Sequence, residues 1–267
     1  MRGGSWVEPT VYAVLALLSA GEEQRARRGL AWIRRLRRSD GGWAPCAEVG
    51  PSTWVTALVA LLPPEQLGEQ LHRGAIAWLL HSEGRETTTV YRIRQWLLGA
   101  PSSPDQQFPG WPWMPGTAAW VGPTSLAILA LQKNQERRDL PAARERIGKG
   151  QTFLLRHMCQ GGGWNHGGIN ALGYASQAYP ETTGIALAAL RGARSPKIDL
   201  SLGVAREFLR QCRSADALNW LRIGLRAHGQ LPSAYCPPQN IAYRTIPETS
   251  LGLVLMASGR GEEIFGA

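Results

Sequence analysis

The sequence predicts an all-α protein built as a two-layer ring, with buried helices inside and charged amphipathic helices outside. Three observations carry that prediction. A helix-opening phrase recurs five times: Glu8-Pro9-Thr10 before VYAVLALL, Pro51-Ser52-Thr53 before WVTALVALL, Pro123-Thr124-Ser125 before LAILAL, Pro180-Glu181-Thr182-Thr183 before GIALAAL, and Pro247-Glu248-Thr249-Ser250 before LGLVLMA. A recurring unit signals a recurring supersecondary structure. The segments behind the phrase are apolar all round, which marks helices buried on every side. Between them run stretches charged on one face only, with apolar stripes such as Leu30, Ile33 and Leu36, or Leu202, Ala205, Phe208 and Leu209.

Taken in order, the inner helices are expected at 8–20, 51–62, 121–132, 180–190 and 246–257, with 86–98 and 214–227 as weaker members of the same kind. The outer helices are expected at 22–38, 66–82, 137–158 and 199–213, giving 11–12 helices in one domain over 1–267. Proline suits the first turn, where its missing N–H has no intrahelical role. Thr and Ser of the phrase are expected to cap the free amides, and Glu to favour the positive end of the dipole. The connections 39–50, 100–122, 161–179 and 229–246 are long and rich in Gly, Pro and Trp, a pattern that often lines sites.

With 267 residues, 44% of them hydrophobic, the chain can bury a substantial core. No apolar run approaches the ~20 residues of a membrane span. The opening MRGGSWVEPT lacks the charged head and apolar stretch of a signal peptide, so a cytoplasmic protein is expected. The four cysteines show neither CxxC nor zinc-finger spacing, so no metal or other cofactor is expected. The net charge of +9 comes mostly from arginine, with Arg25, Arg27, Arg28, Arg34, Arg35, Arg37 and Arg38 on one helix. This face reads either as a solvated outer helix or as a peripheral contact with an anionic membrane. No aromatic–basic interleaving accompanies it, and no nucleic acid partner is expected.

Two segments, RRGLAWIRRLRRSDGGW and GKGQTFLLRHMCQGGGW, pair an amphipathic helix with a Gly-rich turn and Trp43 or Trp164. An aromatic residue, Trp32 or Phe153, precedes each Trp by 11 positions. They resemble the QW repeats of squalene–hopene cyclases and of protein prenyltransferase β subunits, the terpenoid cyclase and prenyltransferase superfamily. The resemblance implies an α/α toroid around a central cavity, and a hydrophobic isoprenoid-like substrate. Arg37 and Met158 stand where that motif has glutamine. The DxDD acid motif of class II cyclases is absent, as is the Asp-x-Cys zinc pattern. Aligning the buried helices puts Glu8, Ser52, Gly122, Glu181 and Glu248 at the position of the catalytic Asp.

On that resemblance, acid-initiated cyclisation would use Glu181 or Glu248, with Glu8 in the equivalent place. A carboxylic acid in an apolar cavity keeps its proton at neutral pH, although the helix dipole pulls in the opposite direction. Trp54, Trp111, Trp113, Trp120, Tyr174, Tyr179, Tyr235 and Tyr243 sit in or beside the long loops, where aromatic faces steady carbocations. His166, in a Gly-rich loop, is a candidate proton partner or substrate contact. Two alternatives stay open. One is a non-catalytic toroid that binds a lipid or protein partner. The other rests on Tyr235-Cys236-Pro237-Pro238-Gln239-Asn240, which resembles the Cys-x-x-Gln motif of complement-type thioester domains. There Cys236 and Gln239 would form the thioester, or Cys236 would act as a free nucleophile.

Overall fold

The computed structural model describes residues 5–99, 104–167, 170–171, 174–231, 242–258 and Phe265. The described residues hold twelve α-helices. These are α1 (Val7–Ser19), α2 (Glu23–Arg35), α3 (Val55–Ala60), α4 (Pro64–Leu67), α5 (Glu69–His81), α6 (Thr89–Leu97), α7 (Val121–Arg137), α8 (Pro141–Arg156), α9 (Pro180–Ala189), α10 (Pro196–Gln211), α11 (Ala215–Ala227) and α12 (Ile246–Ser258). Two antiparallel pairs of two-residue strands complete it, β1 (Trp111–Pro112) with β2 (Ala119–Trp120), and β3 (Asn170–Ala171) with β4 (Tyr174–Ala175).

The packing order closes a ring. Helix α1 packs on α3, α3 on α7, α7 on α9, α9 on α11, α11 on α12, and α12 returns to α1. Outside it, α2 covers α1, α5 covers α3 and α7, α8 covers α7, and α10 covers α9 and α11. The chain is therefore an α/α toroid. All of α3 is buried, as are Pro123–Leu131 of α7 and Thr182–Ala189 of α9. Helix α11 joins the inner ring as expected, without the Pro/Thr phrase.

Three expectations about elements are corrected. Residues 86–98 do not form a buried helix: α6 has no buried residue and packs chiefly on the 3-10 turn Arg85–Thr87. The helix expected at 66–82 is broken at Gly68, whose φ of +105° suits glycine. Helix α7 runs on to Arg137 because nothing after Leu131 stops it until Pro141.

The fourth correction concerns the phrase itself. Its threonines do not cap their own helices; α1, α3, α7 and α9 all lack a side-chain cap. Within the phrase, Thr124 and Thr183 bind the preceding Gly-Trp turn instead, and in the second copy Thr56, three residues past the phrase, does the same. The Trp43 N–H donates to Thr56 Oγ1 at 2.9 Å, the Trp111 N–H to Thr124 at 2.8 Å, and the Trp164 N–H to Thr183 at 3.0 Å. Each indole N–H donates to the carbonyl of an outer helix: Trp43 to Ile33, Trp111 to Leu79, and Trp164 to Leu154. The residue before each Trp is glycine for the same reason. A Cβ there would lie 3.0 Å from Thr56 Oγ1 at Gly42, 2.6 Å from Thr124 Oγ1 at Gly110, and 2.8 Å from Thr183 Oγ1 at Gly163. The repeat thus has three copies, and Trp111 is one of them.

At the opposite end of the ring, side chains meet the last carbonyls of the inner helices. His72 Nε2 donates to Ala60 O at 3.0 Å, Lys133 Nζ to Leu61 O at 3.1 Å, and Arg226 Nη1 to Leu255 O at 3.3 Å. The Lys133 and Arg226 cations suit the negative end of a helix, while burial lowers the His72 pKa and makes it a neutral donor. The acids gather at the other end.

Candidate active site at the mouth of the toroid

Because the inner helices run the same way through the ring, their first turns converge. They enclose a cavity of about 170 Å³. Glu8 and Tyr12 come from α1, Trp54 from the start of α3, and Gly122 and Leu126 from α7. Glu181, Thr182 and Ile185 come from α9, Asp216 and Trp220 from α11, and Pro247 from α12. Trp113 and His166 reach in from the loops.

The acids have positions in common. Glu8, Glu181 and Asp216 are each the second residue of their helix, and Glu248 is the third of α12. In water the helix dipoles would favour their charge. At Asp216 that pull loses. Burial, and then the charges of Glu181 and Glu248, push its pKa up to about 6. Glu8 is raised by burial and by Asp216. Tyr12, wholly buried beside Glu8 and Asp216, is raised well above the usual phenol range.

Glu248 has a different task. Its Oε2 accepts from the Thr245 N–H at 3.0 Å and from the Arg244 N–H at 2.6 Å, while its own N–H donates to Thr245 Oγ1 at 3.3 Å. This is a capping box on α12. The Glu248 charge also acts on Asp216.

The aromatic residues divide into groups. Trp54 and Trp113 meet edge to face, with ring centroids 4.9 Å apart at 87°. The Trp54 N–H donates to Trp113 O at 3.2 Å, which ties the hairpin to α3. Trp220 forms a third wall, backed by Phe265 at 5.4 Å. Around the rim, His166 lies 5.3 Å from Tyr179 and 6.3 Å from Trp120. Tyr243 packs over Gly252 of α12 and is not among the cavity-lining residues. Trp111 is also corrected as a pocket residue: it is buried in the wall under the Arg146 guanidinium, 3.3 Å from the ring centroid. The Tyr174 side chain, Tyr235, Cys236 and Gln239 lie outside the described residues.

Sequence reasoning missed Asp216, Tyr12 and Trp220. The signal for Asp216 was present. It stands in the first turn of a segment read as an inner helix, in register with Glu8 and Glu181.

A clasp holds the loop that carries His166. At the end of α8, His157 Nδ1–H donates to Gly167 O at 2.7 Å, and Nε2–H faces both Asp105 carboxylate oxygens at 3.1 Å. Its ring stacks on Phe153 at 4.1 Å. Burial alone would disfavour the imidazolium. The Asp105 hydrogen bond and charge, the Gly167 carbonyl and Glu86 outweigh it, so His157 titrates above its ordinary value. A raised histidine pKa contributes stability that is complete below about pH 6.5, the unfolded value, and is lost as pH rises through the folded value. Asp105→Asn should therefore lower thermal stability at pH 6 and flatten its fall toward pH 8, as followed by circular dichroism. An unchanged pH slope would show that the pair is not linked to folding.

No protein-family model matches this chain, and no curated protein matches it. Solved structures do. A polysaccharide lyase superposes with a TM-score of 0.51 at 11% identity, over 97% of this chain and 90% of its own. A type II terpene cyclase from Scytonema, solved in complex with geranylgeranyl dihydroxybenzoate, gives 0.42 at 14% identity over 96% and 86%. A protein from Actinoplanes gives 0.40 at 16% identity over 95% and 89%. At such identities the likeness speaks for the fold alone.

Proposed function

We propose that the mouth of the toroid carries out an acid-initiated reaction on an isoprenoid-type alkene, with Asp216 as the proton donor. One observation carries this reading: Asp216, with its pKa pushed up to about 6, shares a small aromatic-walled cavity with other carboxylates. The acid role falls to Asp216 rather than to Glu248, whose Oε2 accepts two backbone N–H groups in the capping box. Glu181 and Glu8 stand beside it.

The chemistry follows from the charges. The Asp216 proton passes to one alkene carbon, the π pair becomes the new C–H bond, and a cation remains on the other carbon. Burial is the main cause of the raised Asp216 pKa; the Glu181 and Glu248 charges that add to it also stabilise that cation, as do the faces of Trp54, Trp113 and Trp220. Attack by a second π bond would close a ring. Loss of a proton to His166 or to water would end the reaction. The same potential disfavours anionic substrates at this position, both a diphosphate and an acidic polysaccharide. The cavity is smaller than the ~300 Å³ at which ligand pockets usually begin. It suits the reacting end of a chain whose remainder lies across the aromatic rim.

Asp216→Asn should reduce product from a panel of non-phosphorylated polyprenyl substrates by at least ~100-fold with the circular dichroism spectrum unchanged. Wild-type turnover should fall as pH rises through about 6, because the donor must hold its proton. Full turnover in the variant removes Asp216 from the role.

The exposed rim of Trp6, Trp120, Tyr179 and Ile246 favours a second reading, a non-catalytic toroid that holds an apolar partner at its mouth. That reading requires ligand binding without product in both wild type and variant.

A further inference from the structure

Helix α6 is built the wrong way round for a helix of a water-facing surface. Tyr91 and Gln95, four residues apart, form its half-buried side. Its apolar residues face outward: Val90 is 79% exposed, Ile93 52%, Trp96 77%, Leu97 70%, and Leu98, just past its end, 67%. Val90, Ile93 and Leu97 recur at helical spacing, so with Trp96 they form one stripe. Such a contiguous exposed stripe marks an interaction surface. Arg92 and Arg94, both exposed, lie on either side of it. The helix is nonetheless well started and tethered. Thr88 Oγ1 caps it, accepting from the Tyr91 N–H at 3.3 Å. At its base the Arg85 N–H donates to Thr117 O at 2.9 Å, and Glu86 Oε1 accepts from the Ala119 N–H at 3.2 Å.

We propose that α6 is an interfacial helix that docks the protein on an anionic lipid bilayer, lying flat with its apolar stripe among the acyl chains. Charge selects this occupant. The helix contains two arginines and no acid, on a chain of net charge +9. Arginines beside an apolar stripe reach lipid phosphates as the stripe enters the acyl region. A second copy of the chain would set these arginines against their own kind. Tryptophan at the stripe's edge suits the headgroup level of a membrane. Among the described residues no helix is long and apolar enough to cross a membrane, so α6 would lie on the bilayer. The inference holds whether or not Asp216 donates a proton.

The test is flotation of the full chain with vesicles of phosphatidylcholine containing about one third phosphatidylserine, against vesicles of phosphatidylcholine alone. Binding to the first and much weaker binding to the second is expected. Ile93→Ser with Trp96→Ser should lower the partition coefficient at least ~10-fold. Arg92→Gln and Arg94→Gln should each lower it about fivefold, with the loss shrinking as salt is raised. Arg27→Gln with Arg28→Gln, on α2, should change it little. These positions are exposed, so the variants should fold as the wild type does. Any of three results overturns the proposal: no binding to anionic vesicles, binding unaffected by the α6 substitutions, or a concentration-dependent dimer that the α6 substitutions abolish.

Discussion

Asp216→Asn should make the protein more stable at pH 8 and leave it unchanged at pH 3. The sign follows from linkage. The unfolded carboxyl titrates near 3.8 and the folded one at about 6. Below about pH 3 both states are protonated and the site costs nothing. Between the two values the folded state binds the extra proton, so stability falls as pH rises. Above 6 the folded protein carries an anion that burial and the Glu181 and Glu248 charges oppose. The difference between 3.8 and about 6 corresponds to ~3 kcal/mol at most. Because Asp216 is not wholly enclosed, about 2 kcal/mol is the better expectation. For a chain of this size that is a rise in Tm of roughly 4–8 °C at pH 8, vanishing toward pH 3.

Thermal melts of wild type and variant across that range decide the matter. A variant equal to or less stable than wild type at pH 8 would show that the acids at the mouth do not strain one another. The proposed acid chemistry would then lose its physical basis. Destabilised groups gathered in a cleft are characteristic of functional sites. A surface patch that merely caps helices would show the opposite pH dependence, since capping carboxylates are more stable charged.

Much of the fold was legible because it rests on local signals. Apolar runs behind Pro/Thr marked the inner helices, and stripes such as Leu30, Ile33 and Leu36 marked outer ones. The Gly-Trp turns were legible at Trp43 and Trp164, where Gly-Gly and a continuous outer helix precede them. The third copy, at Trp111, was hidden. Its outer helix α5 starts only after the break at Gly68, and α6 with its flanking loops separates that helix from the Trp. A lone Gly110-Trp111 in a loop therefore read as a pocket aromatic. The role of the threonines was illegible for another reason. A Thr in a first turn looks like a cap, and only tertiary packing shows that Thr56, Thr124 and Thr183 serve the preceding turn.

The site was half legible. The phrase located Glu8, Glu181 and Glu248, but it was used as the only address for acids. Helix α11 is capped by Ser214, whose hydroxyl accepts from the Ala217 N–H at 3.4 Å, and so needs no such phrase. Position alone also could not rank the acids. What separates Asp216 from Glu248 is the burial of the one and the capping box of the other, and both belong to the assembled ring.

Gly184→Ala should be among the most damaging single-methyl changes in the molecule. Helices α9 and α11 make the most extensive contact of any pair in the ring, and they meet through glycines. A Cβ on Gly184 would lie 2.3 Å from Trp220 C, 2.4 Å from Leu221 N and 2.5 Å from Trp220 O. A Cβ on Gly224 would lie 2.4 Å from Gly184 O. These neighbours are backbone, so no rotamer change relieves the overlap and the helices must separate. Overpacking of this kind costs about 3 kcal/mol or more, a fall in Tm of roughly 6–12 °C. Gly148→Ala in α8, where a Cβ meets nothing within 4 Å, is the internal control. It should be neutral or stabilising by up to ~1 kcal/mol, since alanine is the better helix former.

The two glycines share one gap, so their effects should not add. Once Gly184→Ala has forced α9 and α11 apart, Gly224→Ala finds room already made and should cost less than it does alone. Separation would also move Trp220 and Asp216 on α11 away from Glu181 on α9, which relaxes the repulsion that raises the Asp216 pKa. Any activity surviving in Gly184→Ala should therefore have its pH limit shifted below that of wild type. Denaturant melts of the two single variants and the double test the coupling. Strict additivity, or a Gly184→Ala variant as stable as wild type, would mean that these helices do not meet backbone to backbone and that the ring is looser at this seam than described.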